Sequence, residues 1–88
     1  MQKQKRILIV EDDAESVDLL KYFLKPENYK IEVATNGKAG LYLFERFSPD
    51  LIILDVMLPE MDGFSVCKTI KDDTNVGYVP IIIMTALK

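Results

Sequence analysis

The chain has 88 residues, 49% hydrophobic and 28% charged, with a formal net charge of −3. That bounds it to one small domain of ordinary globular composition, and the acidic balance, with no basic cluster beyond Lys3, Lys5 and Arg6, argues against a nucleic-acid surface. No stretch reaches the ~18 apolar residues that a membrane helix needs, and the lack of histidine excludes His-based catalysis by this chain.

The first apolar run, Arg6 to Val10, is rich in β-branched residues and reads as a buried strand. It is too short to be the apolar part of a signal peptide. Glu11, Asp12 and Asp13 end it, and Asp12 or Asp13 can cap a following helix. That helix carries Val17, Leu20, Phe23 and Leu24 on its expected core face, and Pro26 and Asn28 close it. Ile31 to Ala34 is a second strand, and Thr35-Asn36-Gly37 a turn. Ala39, Leu43, Phe44 and Phe47 recur at helical spacing until Ser48-Pro49. Leu51 to Leu54 is a third strand, running into Asp55. After Met57-Leu58-Pro59 and an Asp62-Gly63 turn, Phe64, Cys67 and Ile70 mark a third helix, stopped by Asp72 and Asp73. Cys67 is the sole cysteine, so an internal disulfide is excluded and a reducing, cytoplasmic setting is expected. Pro80 opens a fourth strand, Ile81 to Met84, ending at Thr85.

The order is βαβαβαβ. Strands separated by helices of about ten residues imply right-handed crossovers. Continuous apolar runs imply a parallel sheet covered on both faces. The expected fold class is therefore α/β, a doubly wound parallel sheet. Such sheets bind ligands at the carboxyl ends of their strands, where the winding direction reverses. If the first and third strands are neighbours, Glu11, Asp12 and Asp55 converge on that rim, with Thr85 one strand over.

Crowded carboxylates repel one another and raise one another's pKa values, and a divalent cation relieves this. Oxygen-only donors favour a hard ion. Mg²⁺ takes one or two carboxylates together with water and phosphate, whereas zinc and copper prefer His and Cys. A carboxylate can also be a covalent nucleophile toward phosphorus, helped by donors and cations around the incoming charge.

Three segments carry a resemblance: ILIVEDD at Ile7–Asp13, DLIILDVMLPEMDGF at Asp50–Phe64 and PIIIMTA at Pro80–Ala86. Together, in this order at these strand ends, they resemble the receiver domains of two-component response regulators, a flavodoxin-like fold with sheet order 2-1-3-4-5. The resemblance implies that Asp55 is the phosphoacceptor and Asp12 a direct Mg²⁺ ligand, with Glu11 acting beside it. Met57 matches the position that ligates metal through its backbone carbonyl. Thr85 matches the switch hydroxyl, and Ala86 the small residue beside the phosphoryl group. Pro59 and Gly63 match the loop that shapes the site, and Asp13 is the helix cap. The partner implied is a sensor histidine kinase or phosphotransfer protein supplying a phosphohistidine.

The family continues for some thirty further residues, with a fourth helix, a fifth strand ending in a phosphoryl-pairing lysine, and a fifth helix. Lys88 lies too early to be that lysine. Residues 1–88 are thus expected to be the N-terminal portion of a receiver domain, lacking its last strand and two helices. A second expectation follows: a non-phosphorylated interaction piece whose fourth strand is an open edge, forming a homodimer, swapping elements or meeting a partner that completes the sheet. A metabolic enzyme is not expected. A phosphatase of the haloacid-dehalogenase type needs a second Asp where Met57 stands, and a dinucleotide site needs a Gly-rich loop where Glu11 to Asp13 stand. Met57 and Leu87, apolar beside the site, cannot orient a hydrolytic water, so a long-lived phosphoryl group is expected.

Overall fold

The structure, a computed structural model, describes residues 4–58, 61–73 and 77–84. Within them strands and helices alternate in the expected order: β1 (Arg6–Val10), α1 (Ala14–Leu24), β2 (Lys30–Ala34), α2 (Gly37–Phe47), β3 (Leu51–Asp55), α3 (Gly63–Lys71) and β4 (Ile81–Met84). The strands form one parallel sheet of order β2-β1-β3-β4. β1 and β3 are neighbours, in register from Ile7 opposite Leu51 to Val10 opposite Leu54.

Successive strand residues point to opposite faces, and the two faces are closed by different helices. Leu8, Val10, Ile52 and Leu54 pack with Phe44, Phe47, Val66 and Ile70 of α2 and α3. Ile7, Ile9 and Ile53 pack with Val17 of α1, flanked by Leu20 and Leu24. The sheet is therefore doubly wound, and β1 and β3 are buried on both sides because they are central.

Each helix begins at a side-chain cap. Asp13, rather than Asp12, caps α1 by accepting from the Ser16 N–H at 3.2 Å and the Ser16 hydroxyl at 2.6 Å. Asn36 caps α2 through the Ala39 N–H at 2.8 Å, and Asp62 caps α3 through the Ser65 N–H at 2.8 Å. The Thr35-Asn36-Gly37 turn is thus the entry to α2, with Gly37 already helical. Pro26 does not end α1 abruptly: a 3₁₀ turn, Lys25–Glu27, follows, and Asn28 in the left-handed region at φ 54° closes it.

Two aromatic residues expected in the core lie outside it. Phe23 is 68% exposed and Phe64 66% exposed. At about 100° per residue, Val17, Leu20 and Leu24 share a stripe, whereas Phe23 sits roughly 120° away from Val17. It packs edge-on against Tyr22 instead, with ring centroids 5.7 Å apart. In α3 the inward stripe is Gly63, Val66 and Ile70, which leaves Phe64 to solvent and Cys67 half-buried.

Candidate phosphoacceptor and metal site

β1 and β3 end side by side, and the next residues must emerge at the same rim. Glu11 follows β1 directly, its N–H donating to the Ala34 carbonyl at 2.9 Å. Asp55 is the last residue of β3, opposite Met84 of β4, and the Val56 N–H donates to the Met84 carbonyl at 3.2 Å. Glu11 and Asp55 are each only 2% exposed, while Asp12 is exposed. Carboxylate oxygens from Glu11, Asp12 and Asp55 lie within 4.8 Å of one another. The convergence expected from the sequence is thus present.

Local hydrogen bonds fix two of the three acids. The Asp13 N–H donates to Glu11 Oε1 at 2.9 Å. The Met57 N–H donates to Asp55 Oδ1 at 3.1 Å, which orients the carboxylate from its own loop. This donor depends on the backbone after β3, and no side-chain pattern signals it. Burial pushes the Glu11 carboxyl above its ordinary 4.5; the nearby Asp55 and Asp12 charges add to the rise, and the Asp13 N–H opposes it.

The loop after Asp55 returns directly onto it. The Gly63 N–H donates to the Val56 carbonyl at 3.1 Å. A Cβ on Gly63 would collide with the Asp55 carbonyl oxygen and come 2.6 Å from Val56 Cα. Only glycine admits so close a backbone approach, which explains the Asp62-Gly63 pair. Met57 is 73% exposed, so its side chain borders the site without covering it. Thr85, Ala86, Leu87 and Pro59 lie outside the described residues.

The donor set passes a chemical test for a hard cation. It is all oxygen, carries up to three negative charges, and places two of its carboxylates where water cannot screen them. Glu11, Asp12 and Asp55 are the residues that could hold a metal ion.

No described helix is long and apolar enough to cross a membrane. The response regulator receiver domain family matches residues 7–88. The response regulator PleD of Caulobacter vibrioides is 44% identical over 82 residues, covering 93% of this chain and 18% of that protein. The DNA-binding dual master transcriptional regulator RpaA of Synechocystis is 40% identical over 82 residues, covering 93% of this chain and 34% of that protein. The chain therefore spans about a third or less of these relatives' length. The crystal structure of the signal receiver domain of a DNA binding response regulator protein from Colwellia psychrerythraea superposes with a TM-score of 0.85 at 39% identity, covering 97% of this chain and 72% of that one. With the family matched over nearly all of its length and the acidic rim in place, this chain belongs to the response regulator receiver domains of two-component signalling.

Proposed function

We propose that this chain is a signalling switch that accepts a phosphoryl group on Asp55 in a Mg²⁺-dependent reaction, from the phosphohistidine of a sensor histidine kinase or phosphotransfer protein. The observation that carries this reading is the environment of Asp55. It is buried at the end of a central strand, has one oxygen held by the Met57 N–H, and lies beside two further carboxylates.

In the step itself an Asp55 carboxylate oxygen attacks phosphorus. The new O–P bond forms as the P–N bond to the donor imidazole breaks, and the imidazole leaves with the electron pair and takes up a proton. The product is an acyl phosphate. Bound Mg²⁺ supplies positive charge against the phosphoryl oxygens. Glu11 and Asp12 hold negative charge where that ion is needed, and the Met57 N–H keeps Asp55 oriented. Thr85 and the Met57 carbonyl are assigned the switch hydroxyl and the additional metal ligand on the family resemblance. The exposed, apolar Met57 side chain cannot orient an attacking water, so the acyl phosphate persists for longer than seconds.

Acetyl phosphate with Mg²⁺ tests this. Intact mass spectrometry is expected to detect one added phosphoryl group that depends on Mg²⁺ and disappears in Asp55→Asn. An adduct that survives that substitution would sink the assignment.

One observation favours a second role. Among the described residues β4 pairs on one side only, with β3, and Ile82 and Ile83 are exposed on opposite faces. A second copy or a partner strand paired along β4 would satisfy its open edge and flank these side chains on both faces. Light scattering that finds a clean monomer across concentrations removes the second-copy version of this reading.

A further inference from the structure

Gly37 is distant in sequence from the acids and belongs to none of the three resembling segments. It is the buried first residue of α2, following the Asn36 cap. A methyl group on its Cα would sit 2.9 Å from Met61 Cβ, 2.9 Å from Val66 Cγ2 and 3.0 Å from the Met61 carbonyl oxygen. Carbon atoms pack comfortably at ~3.5–4.0 Å, so the bare Cα is what lets the first turn of α2 lie against Met61. The Val66 methyl can rotate away. The Met61 Cβ and carbonyl are fixed to the backbone and give way only if the chain moves. Two residues on, Gly63 rests its own bare Cα on the Asp55 carbonyl and Val56 Cα.

These two contacts form a chain of close approaches, from α2 to Met61, from Met61 to Gly63, and from Gly63 to the main chain of Asp55. We propose that Gly37 is a positioning residue for the acceptor site. Its bare Cα sets where the Met61–Gly63 segment lies, and that segment sets where Asp55 stands relative to Glu11 and Asp12. The consequence for chemistry rests on the phosphoacceptor reading; the positional claim does not. A side chain at position 37 displaces the segment through its nearest neighbours, Met61 and Val66.

Gly40, one turn along α2, is the matched control. A Cβ there would meet Val10 first, its two methyls at 3.0 and 3.1 Å, rather than the Met61–Gly63 segment. A purely structural role predicts that Gly37→Ala and Gly40→Ala differ only as their stabilities differ. A positioning role predicts that Gly37→Ala alone perturbs the site.

The test compares wild type, Gly37→Ala and Gly40→Ala, under conditions where each is folded. The readouts are the Asp55, Val56 and Met57 amide signals by NMR, Mg²⁺ affinity by titration, and the rate of phosphoryl uptake from acetyl phosphate. Gly37→Ala is expected to shift those amides, weaken Mg²⁺ binding, and slow uptake by about 10- to 100-fold, since a misplacement of about 1 Å can cost that much. Gly40→Ala is expected to leave the three amides in place. Adding Met61→Gly, which removes the nearest backbone-anchored contact, restores the Gly37→Ala signals toward wild type. If Gly37→Ala does not fold, Met61→Gly with Gly37 retained is decisive, because it removes the atom against which the bare Cα rests and is expected to move the same amides. Unmoved amides in the deciding variant overturn the proposal. A wild-type protein that takes up no phosphoryl group overturns the phosphoacceptor reading instead, while the amide comparison still stands.

Discussion

Asp50 and Asp55 flank the same strand, β3, and are put to opposite uses. Asp50 sits at the amino-terminal rim among compensating groups. Its side chain accepts the Arg6 N–H at 2.9 Å, and its own N–H donates to the Arg6 carbonyl at 2.8 Å. The Arg6 guanidinium donates to the Phe47 carbonyl at 2.7 Å and lies over the Phe47 ring at 5.5 Å. Asp55 sits at the carboxyl-terminal rim with two more carboxylates and, among the described residues, no cation beside it. One acid is a fastener that ties β1 to β3. The other belongs to a cluster of three carboxylates whose mutual repulsion a cation would relieve. The contrast is between an acid held by main-chain donors and an acid that stands among other acids.

The largest expected effect is on activity. Asp55→Asn abolishes Mg²⁺-dependent phosphoryl uptake, whereas Asp50→Ala leaves it intact and costs about 1 kcal/mol of stability through the lost Arg6 hydrogen bond. Mass spectrometry and denaturant unfolding of both variants measure the pair. Equal loss of uptake in both would erase the distinction between the rims.

Next in size is Gly63→Ala. The atoms that its methyl would strike belong to the backbone of Asp55 and Val56, so the strain cannot relax through a rotamer change. A loss of about 2–3 kcal/mol is expected, read by denaturant unfolding. On the proposed reading, magnesium is expected to act with comparable magnitude in the other direction: at 100 times its Kd it would stabilise the folded chain by about 2.7 kcal/mol. That gain shrinks in Asp12→Asn and is unchanged in Asp50→Ala. A midpoint that rises equally in all three proteins would place the ion elsewhere.

The rim was legible in the sequence because its residues sit where apolar runs stop. Glu11 and Asp55 end apolar strands, and once β1 and β3 are neighbours, as the family resemblance implies, their convergence needs no side-chain detail. The helix faces were less legible. Phe23 and Phe64 read as core by residue type, but the angular spacing of Val17, Leu20 and Leu24, and of Val66 and Ile70, turns them to solvent. The Met57 N–H on Asp55 and the Gly37–Met61 approach carry no local signal. The first depends on how a loop folds back, and the second joins residues 24 positions apart. Nothing local in the sequence singles out Asp50, and only the pairing of β1 with β3 makes it a partner of Arg6.

The smallest effect separates the rims by pH. Burial, then the Asp55 and Asp12 charges, raise the Glu11 carboxyl above 4.5. The folded chain therefore holds that proton more tightly than the unfolded chain does. The stability this contributes is complete below 4.5 and is lost as pH rises through the raised folded value. Asp62 has the opposite sign: the Ser65 N–H lowers its carboxyl below 3.8, so its contribution is present above 3.8 and fades as pH falls through the lowered value. The informative quantity is thus the difference between wild type and Glu11→Gln, in which the Asp62 contribution cancels. Without Mg²⁺, wild type is expected to lose stability relative to Glu11→Gln as pH climbs from 4.5 toward neutral, by at most ~1.4 kcal/mol per pH unit. With saturating Mg²⁺ the ion takes the place of the proton, and the relative loss disappears. Asp50→Ala, at the opposite rim, is expected to track wild type across the same range. A Glu11→Gln profile parallel to wild type without Mg²⁺ would mean that the acidic rim is solvated as well as the other, and the distinction between the two would fail.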